Sequence, residues 1–314
     1  MKSEEADKEA SVSIVIRTRD RLEQLKRCIN SILEMHYYNY NIVIINDASR
    51  DGTKEFLQEY YGRDKRFIIV NNNKHFCSAH ALNLGVRYSA GEIIAFTDDD
   101  AIVDKNWLKE ITAPYLNDAQ IMVVGGVSYV EDTDRLYGGS VYIWGCNMAF
   151  RASIFKGFRF DTNLKYSHYY DEADLINRIN LHNYKIKRID QAIIRHFAAP
   201  SPYRRLLALE GELNRIYMDT KQISLLNYYC CKLYRKLGKT LLLAKDLFFK
   251  ERQISLCAAA KKAAFLVYVL CFEIPIKAKI KHIQEERLFK KFQTCAPKKS
   301  SGNLNKRSRE GNLL

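Results

Sequence analysis

Three consecutive carboxylates, Asp98, Asp99 and Asp100, follow directly on an apolar run, Ile93 to Phe96, in the stretch EIIAFTDDDAIVDKNW. Like charges held side by side repel one another, so such a triplet calls for a cation. One residue separates Asp98 from Asp100, and alternate side chains of an extended segment face the same way. Two carboxylates converging at a strand end suit a hard divalent ion, Mg or Mn, whose open positions can carry phosphate oxygens. A solvated acidic turn, capping a helix that starts near Asp104, would account for the same residues. A fourth carboxylate, Asp47, ends a second apolar run in VIINDASRDGT. There it could accept a hydrogen bond from the ring N–H of a nucleotide base, whereas Asp51, just ahead of GTKEFLQEYY, suits a helix cap.

These groups act together only if the fold gathers them. Strands are predicted at Val12 to Ile16, Ile42 to Ile45, Phe67 to Val70 and Ile93 to Phe96, alternating with amphipathic segments such as RDRLEQLKRCINSILEM. That alternation specifies an α/β fold with a mostly parallel sheet flanked by helices. In such sheets ligands bind beyond the carboxyl ends of the strands, where RTRDR, NDASRDGT and TDDDA all fall. After residue 120, IMVVGGVSYV and GGSVYIWGCNMAFR predict a mixed or antiparallel addition to the sheet. A helix from about Glu172 to His182, strands near Ile186 and Ile193, and helix from Tyr203 to about residue 292 follow.

Composition narrows the class. With 314 residues and 47% apolar content the chain can bury a large core. Its eight cysteines form no CxxC spacing, which argues against a zinc ribbon or a disulfide scaffold. The start, MKSEEADKEASVSIVIR, is acidic before its first apolar run, the wrong order for a signal peptide, so a cytoplasmic location is expected. The net charge is +14, but from Lys277 onward eleven Lys/Arg stand against three Glu, a local net of +8. A basic tail suits an anionic membrane surface; it interleaves no aromatic residues with its charge, so nucleic acid is disfavoured. The apolar run 254–276 has a clean core only from Ala263 to Phe272, too short to span a bilayer, and predicts an interfacial or buried helix.

The motifs VSIVIRTRDR, IVIINDASRDGT, ALNLGVRYSAGEIIAFTDDDA, WGCNMAFRASIF and YDEADLINRI, in this order and spacing, resemble glycosyltransferase family 2 over roughly residues 11 to 220. The resemblance implies a GT-A fold, a Rossmann-like sheet, with a C-terminal helical extension. It divides the chain into a flexible N-terminus (1–10), a catalytic domain (11–220), a helical extension (221–292) and a basic disordered tail (293–314). It implies that Arg17, Thr18, Asp20 and Asp47 line a nucleotide pocket and that Asp98 and Asp100 form the DxD metal site, which His196 completes. Asp99 would then lie near the donor sugar or ribose, Trp144, Gly145 and Asn147 beside donor and acceptor sugars, and Glu172 at the position of the catalytic base, with Asp171 its rival. Arg17 stands where many relatives have Pro. Leu82 stands where they often have the diphosphate-binding Arg, which leaves Lys74, His75, His80 or Arg87 to replace it.

The chemistry expected is transfer of a sugar from a nucleotide-sugar donor, UDP-linked in most relatives, to a glycan or lipid-linked acceptor at the cytoplasmic membrane face. Departure of a nucleoside diphosphate builds negative charge that a divalent cation stabilises, and the acceptor hydroxyl needs a general base. One in-line displacement would invert the anomeric configuration. Two other classes share features with this chain. An aspartate-dependent phosphotransferase also puts DxD at a strand end, but on its first strand; a non-catalytic basic adaptor would tolerate loss of Asp98, Asp100 and Glu172.

Overall fold

The computed structural model describes residues 9–136, 143–164, 170–197, 213–218, 220–221, 269 and 273–295. Most of the helix expected after Tyr203, most of the run 254–276 and the tail beyond 295 lie outside the described residues. Four parallel strands form half of one sheet: β1 (Val12–Thr18), β2 (Tyr40–Asn46), β3 (Phe67–Asn71) and β4 (Ile93–Asp98). Helices α1 (Leu22–Leu33), α2 (Thr53–Tyr61) and α3 (Ser78–Tyr88) connect them. A short strand β5 (Ala101–Val103), helix α4 (Trp107–Asn117), strands β6 (Ile121–Val130) and β7 (Met148–Arg151), helix α5 (Asp171–Leu181), strand β8 (Lys185–His196) and helix α6 (Ile274–Cys295) follow. The eight strands lie in the order β3-β2-β1-β4-β7-β6-β8-β5.

The central strands are apolar on both faces because helices cover both. Ile14 and Ile16 of β1 pack with Leu25, Ile29 and Ile32 of α1 on one side. Val15 lies on the other, with Val43, Ile45, Phe96 and a cluster of Phe150, Phe155 and Phe160. In α1 the buried residues Leu25, Cys28, Ile29 and Ile32 recur at the spacing of one helical face. Asp51 does cap: its carboxylate accepts hydrogen bonds from the Thr53 N–H and hydroxyl, and also from the Leu22 N–H at the start of α1.

Three local expectations are corrected. The two strands expected near Ile186 and Ile193 are one strand, β8, with register shifts along its pairing to β6. Asp99 and Asp100 form a turn between β4 and β5, not an extended run, and the next helix begins at Trp107. The last residues of the expected flexible N-terminus, 9 and 10, are fastened: Glu9 accepts hydrogen bonds from the Tyr38 and Asn39 N–H groups, and Ala10 from the Tyr37 hydroxyl.

Helix α6 is tied to α5 through a buried ion cluster. The Lys221 ammonium, fully inaccessible, lies 2.8 Å from Asp161, 2.7 Å from Asp174 and 3.2 Å from Glu285 of α6. Arg178 pairs with Asp174 at 2.8 Å and with Glu285 at 3.5 Å, Lys281 approaches Asp161 at 3.6 Å, and the Tyr217 hydroxyl donates to Asp161. Three cations thus meet three carboxylates. Phe289 of α6 adds a ring contact with Phe158 and His182. Lys221 therefore belongs to the interior that α5 shares with α6. Removing one partner from a buried ion cluster leaves uncompensated charge, which costs about 3–5 kcal/mol. Lys221→Met should lower the urea midpoint by a corresponding amount, and an unchanged midpoint would exclude this cluster.

Candidate active site

The site lies where the parallel strands end, and β-sheet register places its parts. Arg17 of β1 pairs with Asp98 of β4, so the acidic turn opens beside the first-strand loop. Ala101 pairs with His196, which brings the end of β8 against the residue after the triplet. The Phe197 N–H donates to the Asp100 carbonyl and closes the turn. As a result His196 Nε2 stands 3.2 Å from Asp98 Oδ2 and 3.2 Å from Asp100 Oδ1. The two carboxylates converge on one point, though by way of a turn.

Two residues absent from the sequence reading belong here. Arg21, in the first-strand loop, reaches Asp99 Oδ1 at 3.1 Å and Asp100 Oδ2 at 2.7 Å. It is the counter-charge that the triplet requires, and RTRDR contained it without showing which arginine turns inward. Cys146 is buried with its sulfur near Asp98 and His196; one ligand atom from each of the three lies within 4.8 Å of the others. Nothing in the spacing of the cysteines marked it.

The electrostatics follow from burial and these pairings. Burial works against ionisation of Asp98, but His196 outweighs it, with Arg17 and Arg21, and holds the carboxyl below its ordinary value. Burial pushes Asp99 up to about 6, with Asp100 and Asp98 adding to the rise against Arg21. Asp100 is raised by burial and by Asp98. Burial would lower His196, yet Asp98 and Asp100 raise it. Burial, and then Asp98, keep the Cys146 thiol well above its usual range, so the carboxylates and the imidazole are the better donors for a hard cation.

The two acids at the start of α5 differ in their surroundings. Asp171 is buried, and burial together with Glu172 raises it well above the carboxylate range. Glu172 is raised to about 7 by burial and by Asp98. Its carboxylate lies along Gly145, where an added methyl group would sit 3.6 Å from Oε2. Tyr170, immediately before, has a φ of 76°, a left-handed conformation that costs a bulky residue on the order of 1–3 kcal/mol and turns the chain into the helix.

Other expected site residues lie elsewhere or are already engaged. Asn147 is completely buried: Trp107 Nε1 donates to its Oδ1, and its Nδ2 donates to the Val127 and Ala192 carbonyls. Its side chain pins β6, β8 and α4 together. Asp47 is also fully buried, accepting from Asn72 Nδ2 and the Phe76 N–H and contacting His75 Nδ1 at 2.8 Å, with Arg17 Nε at 3.8 Å. It ties the 72–76 loop, which follows β3, to the end of β2. Asp20, with a φ of 52°, accepts from the Arg50 N–H and knits the first two strand-end loops. Thr18 is buried beneath them and Trp144 packs partly into the core. Leu82, partly buried, packs against the core. Lys74, His75 and His80 gather around Phe76 and Asp47, whereas Arg87 lies in the last turn of α3, which runs away from this edge of the sheet.

The sequence and the fold have known counterparts. The family model for Glycosyl transferase family 2 matches residues 13–174, just over half of the chain. The chain belongs to glycosyltransferase family 2. A curated relative, an uncharacterized glycosyltransferase of Haemophilus influenzae, is 30% identical over 120 residues, 38% of this chain and 36% of that one. The chain spans between 12% and 51% of the length of the curated relatives it matches. Among solved structures, a mannosyltransferase from Pyrobaculum calidifontis in complex with GDP-Man and Mn2+ superposes with a TM-score of 0.57 at 16% identity, covering 90% of this chain and 87% of that one. GalNAc-T7 with UDP, GalNAc and Mn2+ gives 0.54 at 15% identity, covering 69% and 51%. The family 2 chain therefore has the GT-A fold. No helix among the described residues is long and apolar enough to cross a membrane.

Since Arg21 is the cation facing Asp99 and Asp100, Arg21→Ala should lower the melting temperature at neutral pH, and added Mn2+ should recover part of the loss. Thermal melts with and without the ion test this; a melt indifferent to the substitution would exclude the pairing.

Proposed function

We propose that this family 2 chain is a metal-dependent, inverting glycosyltransferase that moves a sugar from a nucleotide-sugar donor, UDP-linked in the first instance, to a glycan or lipid-linked acceptor. The observation that carries this is the convergence of Asp98 and Asp100 on His196 beside a glutamate whose pKa is raised to about 7. Asp98, Asp100 and His196 supply oxygen and nitrogen donors suited to Mn2+ or Mg2+, and the solved relatives bind GDP-Man or UDP together with Mn2+. The bound ion would stabilise the diphosphate charge that grows as the sugar leaves.

The chain's own residues do the rest. Glu172 accepts the proton of the acceptor hydroxyl, and a pKa near the working pH suits a general base. Asp171, one residue earlier and more deeply buried, is the less accessible of the two acids to an acceptor. Arg21 offsets the acidic turn while the ion is absent, and Asp99 is placed beside the first-strand loop that the donor would line. Lys74, His75 and His80 are the side chains available to a diphosphate in place of the arginine that Leu82 displaces. For a base to contact Asp47, the 72–76 loop must exchange its hydrogen bonds for those of the nucleotide.

Titration calorimetry of UDP, GDP and dTDP, with and without Mn2+, tests the reading. One nucleotide should bind only with the ion, and Asp98→Ala/Asp100→Ala should abolish that binding; absence of binding by the folded protein under every condition would overturn it. With the donor so identified, Glu172→Gln should lower kcat by roughly 10²–10⁴ while leaving nucleotide affinity intact. Because the base works deprotonated, kcat/KM should fall as pH drops below about 7. A profile flat from pH 5 to 8 would assign the proton to another group.

A further inference from the structure

The outer surface of α6 divides its residues by chemistry. Of its acidic side chains, Glu285 turns inward to Lys221 and Arg178, where Ala278 and Phe289 are also buried, and Glu286, its side chain 39% exposed, pairs with His182 at the edge of that contact. The outward face presents Ile276, Ile280, Ile283 and Leu288, with exposures of 52%, 52%, 51% and 39%. Positions 276, 280 and 283 follow one another at helical spacing and make a continuous stripe. The other exposed residues between 276 and 291 are Lys277, Arg287, Lys290 and Lys291, with Gln284, and none is acidic.

A helix of 22 residues is about 33 Å long and would ordinarily turn such a stripe into the core. Here the ion cluster fixes its rotation, so the isoleucines stay outside. We propose that this face docks on an anionic lipid surface, with the isoleucines entering the headgroup boundary and the flanking Lys and Arg meeting lipid phosphates. Apolar insertion plus several cations is the two-part signal that peripheral attachment needs. The charge pattern argues against the other occupants. A second copy of α6 would set Lys and Arg against Lys and Arg, and nucleic acid would gain nothing from four aliphatic side chains. The proposal does not depend on the transferase reading. Where both hold, docking orients the site: Arg178 and His182, which α6 grips, lie roughly 10–15 Å along α5 from Glu172.

The test is co-sedimentation of the full chain with vesicles of phosphatidylcholine, alone or mixed with phosphatidylglycerol. Binding should require the anionic lipid and weaken with salt. Ile280→Glu/Ile283→Glu should reduce it at least tenfold, and Arg287→Gln/Lys290→Gln, which leaves the apolar stripe intact, severalfold. The tail variant Lys298→Gln/Lys299→Gln should retain most of it. Circular dichroism and gel filtration of each variant separate a lost surface from a lost fold or a lost dimer. The proposal is overturned if the wild-type chain does not bind, if only the tail variant loses binding, or if the isoleucine variant binds as well as wild type. It is also overturned if that variant instead converts a dimer to a monomer.

Discussion

Mutual repulsion among Asp98, Asp99 and Asp100 is the constraint around which the site is arranged. A carboxylate triplet at the end of a buried strand is stable only with cations in contact, and the fold brings Arg21 and His196 to it from opposite ends of the domain. Arg21 comes from the loop after β1, next to β4 in the sheet. His196 comes from the far end of β8, more than ninety residues later in the chain, and reaches the turn because β5 and β8 pair. The short strand β5 thus exists to serve the acidic turn as much as the sheet.

Helix α5 links this centre to the rest of the molecule. Its first turn carries Asp171 and Glu172, both raised by burial, and also Asp174, which with Arg178 in the last turn enters the ion cluster around Lys221. The helix that positions a base is therefore held at its other end by residues from the C-terminal part of the chain. The 221 boundary drawn from sequence cuts through this cluster. Asn147 plays a comparable role on the other side of the site, holding three elements with hydrogen bonds that could be mistaken for sugar contacts from sequence alone.

What was legible in the sequence was whatever local pattern encodes. Alternating β-branched runs and amphipathic segments specified β1 to β4 and the helices between them, because strand and helix periodicities differ within a few residues. The Asp51 cap and the acidic strand end are likewise local signals. The triplet itself announced that a cation was required. The order of five motifs added the family and, through it, Glu172 and His196.

Only tertiary structure decided which cation answers the triplet, how deeply each of two adjacent acids is buried, and which polar residues face inward. Arg17, Arg19 and Arg21 are indistinguishable in RTRDR; the φ of 52° at Asp20 and the entry into α1 bring Arg21 to Asp99 and Asp100. Asp171 and Glu172 differ through burial, which is a property of the packed helix and not of the dipeptide. Sequence determined the alphabet of strands, helices and charges because those depend on near neighbours. Register between distant strands and the burial of each charge decided the chemistry, because both arise only when segments far apart in the chain are packed against one another.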